Sequence, residues 1–179
     1  MPSRRALTIA TSLLIFAGLA ALGFAMLQSL TPSDRAEWEL QRFDTADIRP
    51  GTFRIAADQP ISALANGYQW SLLIVRLRDG SVKVWKVPVK DGKVGMPDLH
   101  WWRPTFDCEH FGPLITNGLI DESKPMQCHD KPLPSDWWAE NWRWDLDGKH
   151  LGAGPVDDME PAAGVMDGWY FVYGKPAGK

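Results

Sequence analysis

Five residues in the middle of the chain are of types that ligate metals or form cross-links. They are Cys108 and His110 in Cys108-Glu-His110-Phe-Gly112-Pro113, and Met126, Cys128 and His129 in Met126-Gln-Cys128-His129. Thiolate and imidazole hold soft and borderline metals, whereas a thioether is a neutral, weaker donor. Cys108, His110, His129 and Met126 together make up the donor set of a mononuclear copper centre of the blue type. Cys108 and Cys128 are the only cysteines, and an even pair in an exported protein also reads as a disulfide. Other charged candidates are Asp107, Glu109 and Asp130 near these segments, and Asp157, Asp158 and Glu160 further on. They read as solvated carboxylates. His100 reads as a surface or structural residue. No Ser/His/Asp arrangement, phosphate loop or spaced carboxylate pair stands out, so no independent catalytic site is expected.

The elements that must position these residues follow from pattern. The 179 residues suffice for one anchored domain of ordinary size. The net charge of −3, with no basic patch, gives no reason to expect nucleic acid as a partner. No charged residue occurs from Ala6 to Ser33, a run long enough to span a bilayer as a helix. Arg4 and Arg5 precede it, which places the N-terminus in the cytoplasm and the head in the periplasm of a bacterial inner membrane. Arg4-Arg5 is also a weak twin-arginine export signal; a cleaved signal peptide is the alternative reading. Pro32 ends the helix. Residues 1–33 are thus read as anchor, 34–42 as linker and 43–179 as a β head, with the candidate loops in 105–155.

Within the head, 52–57 reads as a short strand after a Pro50-Gly51 turn, and 59–69 as irregular. Trp70–Arg78 is the strongest strand, Asp79-Gly80 a hairpin turn, and Ser81–Val87 alternates with period two as its partner. Asp91-Gly92 is a second turn, and Gly168–Tyr173 reads as the last strand. These are antiparallel signals, and a small β-sandwich is expected. Ten tryptophans are a heavy load for this length, to be packed in the core or turned toward a partner.

The two Cys/His segments resemble the ligand loops of Rieske iron–sulfur proteins, which read Cys-x-His-x-Gly-Cys and Cys-Pro-Cys-His-Gly-Ser. Fifteen residues separate His110 from Met126, as in that family. Further likenesses are the Arg pair before an uncut helix, the Ser/Pro hinge at Thr31-Pro32-Ser33-Asp34, and Asp47-Ile48-Arg49-Pro50-Gly51 at the entry to the first strand. Trp144-Asp145-Leu146-Asp147-Gly148-Lys149 resembles a later strand and turn, and Gly154-Pro155 the first half of the loop that covers the cluster. The likeness extends over nearly the whole chain. It departs at four places. Met126 stands at the second ligand cysteine, Pro113 at the first disulfide cysteine, Asp130-Lys131 at Gly-Ser, and Asp157 at the second Pro of the covering loop. Some eleven extra residues, with Trp137, Trp138 and Trp142, follow the second loop.

The resemblance implies an antiparallel β head behind one transmembrane helix, in the company of cytochrome b and cytochrome c1 of a quinol–cytochrome c oxidoreductase. In that family two thiolates hold one iron of a two-iron, two-sulfide (2Fe–2S) cluster and two imidazoles hold the other. Here Cys108, His110 and His129 keep ligand positions, and Gly112 keeps a turn that needs positive φ. A thioether at Met126 is a poor donor to ferric iron, and it removes an anionic ligand. Cys128 lies next to His129, so the two side chains point apart. The expectation is a head without a cluster, its Cys108 and Cys128 free or bonded to each other, acting as an accessory subunit. The Trp-rich stretch from Trp137 to Trp144 would be its contact surface. The alternatives are a working 2Fe–2S carrier from quinol to cytochrome c1, and the copper site above.

Overall fold

A computed structural model describes residues 40–130 and 142–174. The expected anchor, residues 1–33, and residues 34–39 of the expected linker lie outside these. Among the described residues no helix is long and apolar enough to cross a membrane. The strands run in order β1 (Gln41–Asp44), β2 (Thr52–Ile55), β3 (Ser62–Ala63), β4 (Gln69–Arg76), β5 (Val82–Lys90), β6 (Lys93–Pro97) and β7 (Pro104–Cys108). They continue with β8 (Phe111–Pro113), β9 (Ile115–Thr116), β10 (Leu119–Ile120), β11 (Met126–Cys128), β12 (Arg143–Trp144), β13 (Gly164–Asp167) and β14 (Tyr170–Tyr173). The protein is mainly β, and all the paired strands are antiparallel. Gln41 and Arg42, expected in the linker, already belong to β1.

The central element is the β4–β5 hairpin, which pairs along eight residues from Gln69↔Val89 to Arg76↔Val82. Its Asp79-Gly80 turn closes as expected. Gly80 takes φ +87°, and the Asp79 carboxylate accepts bonds from the Ser81 N–H (2.8 Å) and Oγ (2.6 Å). A six-stranded sheet grows around this hairpin in the order β2-β4-β5-β6-β7, with β3 also on β4. Sequence pattern ends β5 at Val87, yet the strand continues through Pro88 to Lys90. The Lys86 N–H points away from β4, toward the Glu160 carbonyl, and by period two so does the missing N–H of Pro88. Pairing on that side with β6 begins only at Val89, so proline deletes no ladder bond.

The unbroken apolar run Leu72-Leu-Ile-Val75 is explained by burial on both faces of this sheet. Leu73 and Val75 join Trp85, Val87 and Val89 in one core, while Leu72 and Ile74 join Phe43, Ile48, Ala56 and Phe171 in another. The second core lies under the three-stranded sheet β1-β14-β13, the first under the small sheet β12-β11-β8. The arrangement is therefore a central sheet covered on both sides, rather than two facing layers.

Two tryptophans expected at a contact surface are core residues. Trp142 and Trp144 are buried. The Trp142 ring stacks on Phe106 at 5.4 Å, and its Nε1–H donates to the Pro97 carbonyl at 3.0 Å. Trp144 packs on Trp101 (4.7 Å) and Phe111 (5.7 Å). Trp137 and Trp138 lie outside the described residues. Trp142→Ala should cost about 3–5 kcal/mol of stability, as aromatic truncations in a core do. Trp169, which is 58% exposed, should cost less than about 1 kcal/mol when truncated. Denaturant melts of the two variants test the assignment.

Candidate functional site

The two Cys/His segments meet side by side. β7 ends at Cys108, Glu109 and His110 make the turn, and β8 returns from Phe111. β8 pairs with β11 in the register Pro113↔Met126, Gly112↔Gln127 and Phe111↔Cys128, and the His129 N–H continues the ladder to the His110 carbonyl at 3.0 Å. Pro113 fits because β8 is the edge of its sheet, where a missing N–H need not break a ladder. Gly112, the middle residue of β8 rather than part of the turn, takes φ +150°. A Cβ there would also lie 2.5 Å from the Phe53 ring, so close approach as well as conformation requires glycine.

Cys108 and Cys128 are bonded to each other across 20 residues of sequence, with Cα atoms 5.9 Å apart. β7 is the edge strand of the six-stranded sheet and β11 the middle strand of the small one, so the bridge fastens one sheet to the other. Both cysteines are buried. Period two puts Met126 and Cys128 on the same face of β11, toward the core, and turns Gln127 outward. Met126 is fully buried in the cluster that holds Trp101, Phe111 and Trp144.

Asp130 locks the first turn. Its carboxylate accepts hydrogen bonds from the Glu109 N–H (2.5 Å), the His110 N–H (2.9 Å) and the His110 Nδ1–H (2.8 Å). Asp130, a solvated charge by sequence pattern alone, is engaged in three hydrogen bonds. The signal was present in the run Cys-His-Asp, but only the pairing of the loops shows what Asp130 reaches. Burial pushes its carboxyl group up. The bonds from Glu109 and His110, with the nearby His110 charge, pull further the other way and hold it below the ordinary carboxylate value. His129 is anchored separately, its Nε2 lying 3.0 Å from the Gly112 carbonyl. That contact makes Nε2 the protonated nitrogen of the neutral ring.

Both imidazoles border an apolar groove of about 410 Å³, lined by Phe53, Ile55, Phe111, Pro113, Leu114 and Ile115 together with Glu109. Beyond the loops, Asp157 is a second node rather than a free charge. Its carbonyl accepts from the Trp101 indole (3.2 Å) and the Trp144 indole (3.1 Å), and its carboxylate pairs with His100 at 2.6 Å. His100 stacks on Trp102 and takes no part in the Cys/His loops. Asp107 accepts the Tyr68 hydroxyl at 2.5 Å, and burial followed by this bond pushes the phenol up to about 12. Asp158 accepts from the His150 N–H, and Glu160 pairs with Lys86.

The donors needed for a cluster or for copper do not assemble here. Both thiols are consumed in one bond, and the Met126 thioether is packed among aromatics. The donor atoms of Cys108, His110 and His129 do not converge within 4.8 Å; among the described residues only those of Cys108, Cys128 and Asp130 form such a group. A 2Fe–2S cluster or a blue-copper ion therefore does not fit this arrangement. Comparison with protein-family models, curated proteins and solved structures finds no match.

The Asp130 lock has a testable pH signature. A carboxyl held below its unfolded value stabilises the fold above that unfolded value and loses its effect as pH falls through the folded one. Asp130→Asn should therefore lower Tm at pH 7, and the gap from wild type should shrink steadily below about pH 4. Melting curves at several pH values check this; a gap independent of pH would assign Asp130 a purely steric role.

Proposed function

We propose that the chain is a membrane-anchored, Rieske-like accessory subunit of a quinol–cytochrome c oxidoreductase of the cytochrome bc1 type. Its head braces neighbouring subunits and carries no electron. The observation that carries this reading is the Cys108–Cys128 bond beside a buried Met126. Two of the departures from the family's loops sit opposite each other. Met126, at the second ligand cysteine, is the cross-strand partner of Pro113, at the first disulfide cysteine. Replacing that pair leaves one cysteine on each loop, and these two bond together.

The retained features favour a kept scaffold with lost chemistry. The loops keep the spacing and juxtaposition that the resemblance implies, and Gly112 keeps its positive φ. On this reading the apolar run of residues 6–33 would anchor the head on the periplasmic side of the inner membrane, beside cytochrome b and cytochrome c1 type subunits. With Trp142 and Trp144 buried, the face on offer to such neighbours is the apolar groove, extended by the exposed Ile115 and Leu119.

Purified from its native membrane, the protein should be colourless. It should contain no stoichiometric iron or acid-labile sulfide, give no electron paramagnetic resonance signal after reduction, and co-purify in fixed ratio with b- and c1-type cytochromes. Met126→Cys should not restore a cluster, because Pro113 and Asp130 remain in the loops. It should instead lower stability by about 1–3 kcal/mol through the smaller side chain in the core. Two irons and two sulfides per chain would make the protein a quinol-to-cytochrome c1 electron carrier and defeat the accessory reading.

A further inference from the structure

We propose that reduction of the Cys108–Cys128 bond converts this site into a structural zinc site, so that a metal clasp replaces the disulfide clasp under reducing conditions. The site's geometry carries the proposal, and it does not depend on the accessory reading. The Sγ atoms of Cys108 and Cys128 and a carboxylate oxygen of Asp130 all lie within 4.8 Å of one another. They come from separate elements, the end of β7 and the end of β11, and those elements are held together independently of the sulfurs. The β8–β11 ladder, the His129–His110 backbone bond and the Asp130 bonds to the first turn remain when the disulfide opens.

A dithiol reductant passes two electrons and two protons to the disulfide, giving two thiols and its own cyclic disulfide. Zn²⁺ then displaces both thiol protons and binds two thiolates. Zn–S bonds of about 2.3 Å at a tetrahedral angle require sulfurs some 3.8 Å apart. A Cα separation of 5.9 Å allows this by rotation of the cysteine side chains. Asp130 supplies the third ligand. His110 would supply the fourth: its Nδ1 lies 2.8 Å from the Asp130 carboxylate but outside the converging group, so its side chain, 71% exposed, must rotate toward the sulfurs on binding. Two thiolates with a carboxylate and an imidazole suit zinc better than iron–sulfur or copper chemistry. This set differs from the copper set read in the sequence, because it uses Cys128 and Asp130 in place of Met126 and His129.

Burial shapes the site. Both cysteines are almost wholly withdrawn from water, and Asp130 closes the outer side. An ion entering past Asp130 and His110 would be sheltered, as structural zinc sites are. In either redox state a covalent or coordinate link would then fasten β7 to β11.

The test uses the full chain in detergent. The protein is reduced with a phosphine that does not chelate zinc, desalted without oxygen, and titrated with Zn²⁺ or with Co²⁺ as a coloured probe. The reduced protein should take up one zinc per chain, show a thiolate-to-cobalt charge-transfer band with Co²⁺, and protect both cysteines from alkylation when zinc is present. The oxidised protein should do none of these. Asp130→Asn and His110→Ala should each weaken zinc binding about tenfold or more. Should reduction loosen the head, zinc should restore its near-ultraviolet tryptophan signal. The proposal is overturned if the reduced chain takes up no more zinc than the oxidised chain, if zinc leaves both cysteines open to alkylation, or if binding is unchanged in Cys108→Ser/Cys128→Ser.

Discussion

The bond between Cys108 and Cys128 is the constraint on which the loop region depends. It joins the last residue of an edge strand in the six-stranded sheet to the last residue of the central strand in the small sheet. The small sheet has few residues of its own. β8 and β11 each contribute three and β12 two, which is far too little for independent stability. A cross-link closing a loop of this length stabilises a fold by about 2–4 kcal/mol, a large share of a small domain's margin. With it in place the turn at Glu109-His110 is held against Asp130, and the groove beside it acquires a fixed wall.

The same bond decides the chemistry. A chain with two cysteines can either offer two thiolates to a metal or join them, and the oxidised arrangement joins them. Met126 offers no metal ligand from its present position. It is fully buried, and its thioether is packed in the cluster with Trp101, Phe111 and Trp144. The aromatic cluster behind it is tied in turn to the 151–158 segment by two indoles sharing the Asp157 carbonyl. Asp157 is thus a structural junction between that cluster and the segment that carries it.

Much of this was legible in the sequence, for physical reasons that can be named. Turn chemistry at Asp79-Gly80 and Asp91-Gly92, with period-two alternation between them, located the main hairpin. The apolar run from Leu72 to Val75 announced a strand, but pattern alone did not say that both its faces would be buried or that two cores would flank it. Pro88 hid the end of β5, because its harmlessness depends on which neighbour is paired there. β3 and β9 to β12 are two or three residues long, too short to show any period. Asp130, Asp107 and Asp157 looked solvated because their partners are distant in sequence: Glu109 is 21 residues from Asp130, Tyr68 is 39 from Asp107, and Trp101 is 56 from Asp157. The inward course of Trp142 and Trp144 was hidden for the same reason.

The most direct test of the account is the state of the two sulfurs in the native protein. Full-length protein should be denatured at acid pH, to quench exchange, and alkylated without reduction. It should then be digested and mapped by mass spectrometry. The account predicts no alkylated cysteine and a linked peptide pair joining Cys108 to Cys128. Two alkylated cysteines and no linked pair would contradict it, leaving both thiols free to act as ligands.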